Sequence, residues 1–465
     1  MKALLLTLAA ALVPVLCAAQ AVQTGTLELR WGDPVPGSSE ASRFEARITD
    51  ADGHRKSIDT QQALRASRDL FSLYGRTIGV TLLPGPQVGD TLAPESIVDA
   101  TPSAAAARAP RVAGPQPWVT LLCKFADIAV EPHDTGYFTQ MLSNDTGRLD
   151  RYWREVSYDK VDIVGSEVYG WFTLPFPRVH YVPHNSDGTD GSADLDALWD
   201  DCTHAADASV DFTPFAGINT MYNGNLDCCA WGGGRYATLD GVNRLWYSTW
   251  EPPWGYANEA PLAHEMGHGF GLPHANNSDG DGSPYDNPWD VMSDAWDNAG
   301  DDATFGAQPK HINIWSRDHL GWIDPQRKLT VSADGLLSGI VLDRASLAGS
   351  TNTQMIEVIL PATEPDSHYY VIEARKRVPG FESHLAGDAV IIHEVKLGRG
   401  EPAWSVDATV PPADVANDPG SMFVVGESWI EPNGAFTVTV TAQTPEGFLL
   451  DVQRGSDVIF AYGFD

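Results

Sequence analysis

The residues with the most direct chemical meaning are His264-Glu265-Met266-Gly267-His268-Gly269-Phe270-Gly271-Leu272-Pro273-His274. On a helix, a four-residue spacing places His264 and His268 on one face. Two imidazoles so spaced can grip one Zn²⁺. Glu265 then sits beside the metal position without being a ligand, where a carboxylate can act as general base on a water. Gly271 can adopt the left-handed conformation that ends a helix. The chain then turns and carries His274 round as a third nitrogen ligand. Three protein ligands leave a fourth position open, the pattern of a catalytic rather than a structural zinc.

The full spacing H-E-x-x-H-x-x-G-x-x-H resembles the signature of the metzincin metalloproteases. That clan also has a methionine-bearing turn beneath the metal, and Trp289-Asp290-Val291-Met292-Ser293 matches it. Around this motif, Tyr152–Lys160, Val168–Pro175, Leu320–Ile323, Tyr369–Arg375 and Gly387–Glu394 are similar to secreted metallopeptidases of the immune-inhibitor-A type. Those proteins commonly carry an aspartate where this chain has His274. A histidine there is nearer to gametolysin-like and other metzincins. The resemblance implies a zinc metalloendopeptidase that hydrolyses peptide bonds in protein or peptide substrates. His264, His268 and His274 would be the metal ligands, Glu265 the base and Met292 the turn residue. A second oxyanion donor is not fixed by the motif; Tyr285 is near in sequence. A different class of function also fits the chain: an exported adhesin or carbohydrate-binding protein with a non-catalytic zinc site, suggested by its 15 tryptophans and strand-rich end.

These residues need elements to position them. Asn258 is a plausible N-cap and Pro261 lies in the first turn of the helix that carries His264 and His268. Ahead of it, 118–125, 168–174 and 218–222 read as strands, and 149–158 and 194–207 as helices. The expected class is a mixed α/β catalytic domain of metzincin type over 113–327. It is followed over 328–465 by a β-rich, sandwich-like domain with alternating strands at 355–360, 369–374, 389–395 and 436–441. Residues 22–112 read as a propeptide or small β domain ending in an Ala/Pro/Arg-rich linker, Ser103–Arg111. This segment holds no cysteine, which excludes a thiol from capping the metal. The run Gly232-Gly233-Gly234-Arg235 reads as a loop.

Lys2, the apolar run 3–16 and the small residues up to Ala21 form a secretory signal pattern over 1–21. No other apolar run approaches the roughly 18–20 residues of a membrane span. With 30 Lys+Arg against 62 Asp+Glu and a net charge of −32, nucleic acid and anionic membranes are poor partners. A secreted monomer is expected. Outside the signal, Cys123, Cys202, Cys228 and Cys229 imply disulfides in an oxidising compartment. A bridge between adjacent Cys228 and Cys229 would be strained, so each is expected to pair with Cys123 or Cys202. Asn277, Asp279 and Asp281 match the first half of an EF-hand loop but lack its closing Glu, leaving structural Ca²⁺ as a second candidate metal.

Overall fold

The computed structural model describes residues 22–38, 40–84, 89–101, 112–280, 283–361, 367–410 and 419–455. The signal pattern, the Ser103–Arg111 linker and Asp281 lie outside these residues. The fold is mixed α/β and rich in strands, with several sheets. No helix among the described residues is long and apolar enough to cross a membrane.

An eleven-stranded sheet forms the centre. Glu167–Thr173, Trp118–Lys124, Gly217–Tyr222 and Val242–Glu251 run parallel to one another. Trp118 to Cys123 are all buried, as a parallel strand covered on both faces requires. Cys229–Leu239 then pairs antiparallel with Val242–Glu251. The next strand is Val22–Pro34, from the far N-terminus, antiparallel to Cys229–Leu239 with Arg30 opposite Gly233 and Pro34 opposite Cys229. Residues 22–99 therefore extend the central sheet instead of standing apart from it.

The expected loop at Gly232–Arg235 is instead the interior of the strand Cys229–Leu239. Glycine is needed there because neighbours approach the backbone. A Cβ on Gly232 would collide with the Glu265 carbonyl, and one on Gly233 with the Leu29 carbonyl. The strand is thus sandwiched between the metal helix and the N-terminal strand. Pattern reading missed it because glycine is depleted in strands, where it has no side chain to pack.

The helix Glu259–Gly269 is buried along its whole length. Asn258 precedes it, but its Oδ1 accepts from the Ala307 amide (3.0 Å) rather than capping its own helix. The helix ends as the sequence requires. Gly271 has φ +91°, its amide donates to the His268 carbonyl, and the Leu272 amide donates to the Gly267 carbonyl. This is a Schellman termination.

Beyond it, a six-stranded and a four-stranded sheet follow. Val331, Ile356, Val358 and Ile372 of the first share one apolar cluster with Phe436, Val438, Leu450 and Val452 of the second. The strands Met355–Ile359, His368–Arg375, Ala389–Lys396 and Phe436–Gln443 lie where the alternating pattern placed them.

The cysteines pair differently from expectation. Cys123 joins Cys202, and Cys228 joins Cys229. The central-sheet strand and the helix Leu195–Ala206 bring Cys123 and Cys202 together, leaving the adjacent pair only each other. The Cys123–Cys202 bridge closes a long loop, with a sequence separation of 79. Its removal by paired Cys→Ala changes is expected to cost about 2–4 kcal/mol, read from the denaturant midpoint.

Candidate metal centre

Helix geometry places His264 and His268 side by side, and the glycine turn brings His274 against them. His268 Nε2 lies 3.0 Å from His264 Nε2 and 3.2 Å from His274 Nε2. Two tetrahedral ligands at roughly 2.0–2.1 Å from zinc would be about 3.3 Å apart, so the three nitrogens have the spacing of a metal's ligands. The opposite ring nitrogens face carbonyls: His264 Nδ1 is 2.6 Å from Val291 O and His268 Nδ1 is 2.7 Å from Leu272 O. Protons assigned to these Nδ1 atoms leave both Nε2 atoms as lone-pair donors. Converging lone pairs repel unless a cation lies between them. The donor set fits zinc.

Asp33 completes the cluster, and the sequence reading missed it. Its Oδ1 is 2.6 Å from His274 Nε2, and its Oδ2 is 3.3 Å from His268 Nε2 and 3.4 Å from His264 Nε2. The four side chains form one buried group able to hold a metal ion. Asp33 Oδ2 is buried and makes no hydrogen bond. The only local signal was Trp31-Gly32-Asp33-Pro34 at the end of an alternating strand.

Glu265 is buried beside the triad, and its Oε2 has no hydrogen-bond partner. Burial, with the nearby charges of Asp33 and Glu251, holds its carboxyl well above the ordinary range. Glu251 ends the strand Val242–Glu251. It too is buried and raised, first by burial and then by Asp33. Burial pushes the His268 imidazole down to about 3, which keeps it in the neutral, metal-binding form. Tyr285 also reaches the site: its hydroxyl donates to Asp33 Oδ1 at 2.6 Å. Burial and Asp33 raise this phenol.

The turn beneath the three histidines is closely packed. Asp290 Oδ1 accepts from the Met292 amide (2.8 Å), and Asp290 Oδ2 accepts from the Asn313 amide (3.1 Å). Met292 Sδ lies where a Cβ on Gly267 would have to go. The turn also supplies the Val291 carbonyl that orients His264. From the C-terminal sheet, Arg375 Nη1 donates to the Trp289 carbonyl at 2.7 Å.

The calcium candidates are not gathered into this centre. Asn277 is buried, and its Oδ1 accepts from the Asp279 amide (2.7 Å). His393, in the strand Ala389–Lys396, is buried with Nε2 2.9 Å from Glu373 Oε1.

A cavity of about 600 Å³ opens beside the metal position, lined by His264, Glu265, Tyr285, Trp254 and Trp296. Asp33 and the residues after it form part of the same wall. No protein-family model and no curated protein matches the chain.

Proposed function

We propose that the chain is an exported zinc metalloendopeptidase of metzincin type. The observation that carries this reading is the convergence of three imidazole Nε2 atoms next to a buried carboxyl, at the edge of a cleft. The signal pattern at 1–21 and the two disulfides support export.

Zinc held by His264, His268 and His274 would supply Lewis acidity toward a carbonyl and acidify a water. Glu265 is the residue placed to take that water's proton at Oε2 and return it to the departing amine. Tyr285 offers a hydroxyl to an oxygen at the Asp33 position, where charge on a scissile carbonyl would develop. Met292 and Asp290 hold the floor that fixes the His264 ring. The cleft next to Glu265 has room for a peptide chain.

One observation favours the non-catalytic alternative, an exported binding protein with a metal site. Asp33 gives the site a fourth protein group, the mark of a closed centre. The buried Glu265 counts against it, since a binding role needs no base. The test is casein hydrolysis by the secreted protein after its N-terminus has been sequenced. Activity lost to a chelator and restored by zinc supports the peptidase. A zinc-loaded protein without residues 22–99 that cuts nothing overturns it.

Tyr285→Phe is expected to lower kcat by roughly 10²-fold with KM little changed, because one oxyanion donor is lost. Steady-state kinetics on a quenched peptide checks this.

A further inference from the structure

We infer that a second cavity, where residues 71–76 meet the central sheet, is a binding site for a small aromatic carboxylate. The inference is independent of the peptidase reading above.

This cavity has a volume of about 390 Å³, room for on the order of a dozen water molecules at roughly 30 Å³ each. It lies against Phe270 and Gly271, at the C-terminal end of the helix Glu259–Gly269. The cleft touches the same helix at Pro261, His264 and Glu265 instead. The two spaces therefore have separate walls.

The walls of the second cavity are aromatic and fixed. Phe71, Tyr74, Tyr247 and Phe270 line it. Tyr247 meets Phe270 edge-on, with ring centroids 5.3 Å apart and planes at 86°. The Tyr74 hydroxyl donates to the Gly269 carbonyl at 3.0 Å, and its ring fills the space that a Cβ on Gly271 would need. A preformed pocket of this kind accepts a flat apolar body without reordering its own side chains.

Its charge is the reverse of the cleft's. Asp33, Glu40, Asp294 and Asp297 line the cleft, with no lysine or arginine among its described lining residues. Arg76 and Arg244 line the second cavity, with no aspartate or glutamate among the described residues there. That placement runs against a composition of 62 Asp+Glu to 30 Lys+Arg.

Arg76 is matched by Asp99 at 2.7 Å. Arg244 meets no carboxylate among the described residues. Its guanidinium lies over the Trp246 ring, 3.9 Å from the centroid, and Nη2 donates to the Phe215 carbonyl. Nε is buried without a hydrogen bond. Nη1 is the nitrogen left for a ligand. Arginine stays protonated, so a partly buried guanidinium without a counter-charge is costly. A carboxylate supplies both the missing charge and the missing acceptor. The ligand's ring then rests among the aromatic walls, with its carboxylate on Arg244.

The experiment titrates the full secreted, zinc-loaded chain with para-fluorophenylacetate and reads the fluorine NMR line width of the probe. A Glu265→Ala background prevents self-cleavage, and saturating acetohydroxamate keeps the probe off the metal centre. Saturable broadening is expected. The neutral para-fluorophenylacetamide, of the same shape, should bind roughly tenfold more weakly or worse. Arg244→Met and Arg244→Gln should weaken the acid by a similar factor and leave the amide unchanged. The glutamine variant keeps an N–H for the Phe215 carbonyl, and thermal melts confirm that each chain is folded. The comparison of acid with amide stands even where a variant does not fold. N-acetyl-para-fluorophenylalanine offers the same chemistry as a peptide terminus. Tighter binding than the phenylacetate makes the ligand a peptide end, and weaker binding makes it a free acid; either supports the site. No saturable binding of either acid overturns the proposal. So does equal affinity for acid and amide, or an acid affinity unchanged in a folded Arg244 variant.

Discussion

Glu265→Gln should lower kcat/KM on a peptide substrate by roughly 10²–10⁴-fold, the usual contribution of a positioned general base. On the proposed reading zinc content should stay at one ion per chain, because the three imidazoles that would hold it are untouched. Glutamine keeps the side chain's length and fills the same buried space, so stability should change little. Its amide cannot take a proton from water. Metal analysis and steady-state kinetics on the same preparation check this together. A variant that loses zinc along with activity would make Glu265 a ligand or a structural residue. A variant that keeps full activity would remove the base from the proposed mechanism.

The second large effect lies away from the cleft, in the charge network under the metal turn. Arg375 Nη2 meets Glu382 Oε1 at 2.6 Å, and Nε meets Oε2 at 2.9 Å. Both side chains are fully buried. Glu382 Oε1 also accepts from the His311 amide at 3.1 Å. Glu382→Ala leaves the guanidinium buried without its carboxylate, and such losses cost about 3–5 kcal/mol. The denaturant midpoint should fall accordingly. A paired Arg375→Met, Glu382→Leu replacement should cost much less, since no charge is then stranded. Arg375 also donates to the Trp289 carbonyl, so Glu382→Ala should loosen the turn that carries Val291 and Met292. Weaker zinc retention should follow.

The same pair sets an acid limit. Burial alone would raise the Glu382 carboxyl, but Arg375 and then His311 hold it down to about 2. Its folded value lies below the ordinary value near 4.5. Its stabilisation is therefore present above about pH 4.5 and is lost as the pH falls toward 2. A Glu382→Gln chain should lose its difference from the parent over that window, and melting temperature against pH reads it.

The metal helix was legible because its determinants are local. A four-residue repeat, a terminating glycine and a turn with Asp290 and Met292 lie within 29 residues of sequence. The alternating strands of the last two sheets were legible for the same reason, since a period of two is written residue by residue. Asp33 was not legible. It meets His274 across a sequence separation of 241, and nothing in its composition marks it among 62 acidic residues. The strand Cys229–Leu239 was hidden by its glycines, which serve approaches from the metal helix and the first strand and carry no strand propensity of their own. The cysteine pairing was misjudged because strain in an adjacent pair was weighed before the distances to the alternatives were known.

The shared eleven-stranded sheet would have a consequence for a chain shortened at its N-terminus. Stripping Val22–Pro34 from Cys229–Leu239 bares a row of amides and carbonyls that includes a run of three glycines. Such an edge, without side chains to shield it, is a template for copies of the protein to stick to one another. Long-range repulsion between molecules that each carry the full-length chain's charge of about −32 opposes that self-association. The acidity of the sequence is then what would keep such an opened sheet dispersed. High salt, by screening that repulsion, would favour precipitation of the shortened form over the intact one.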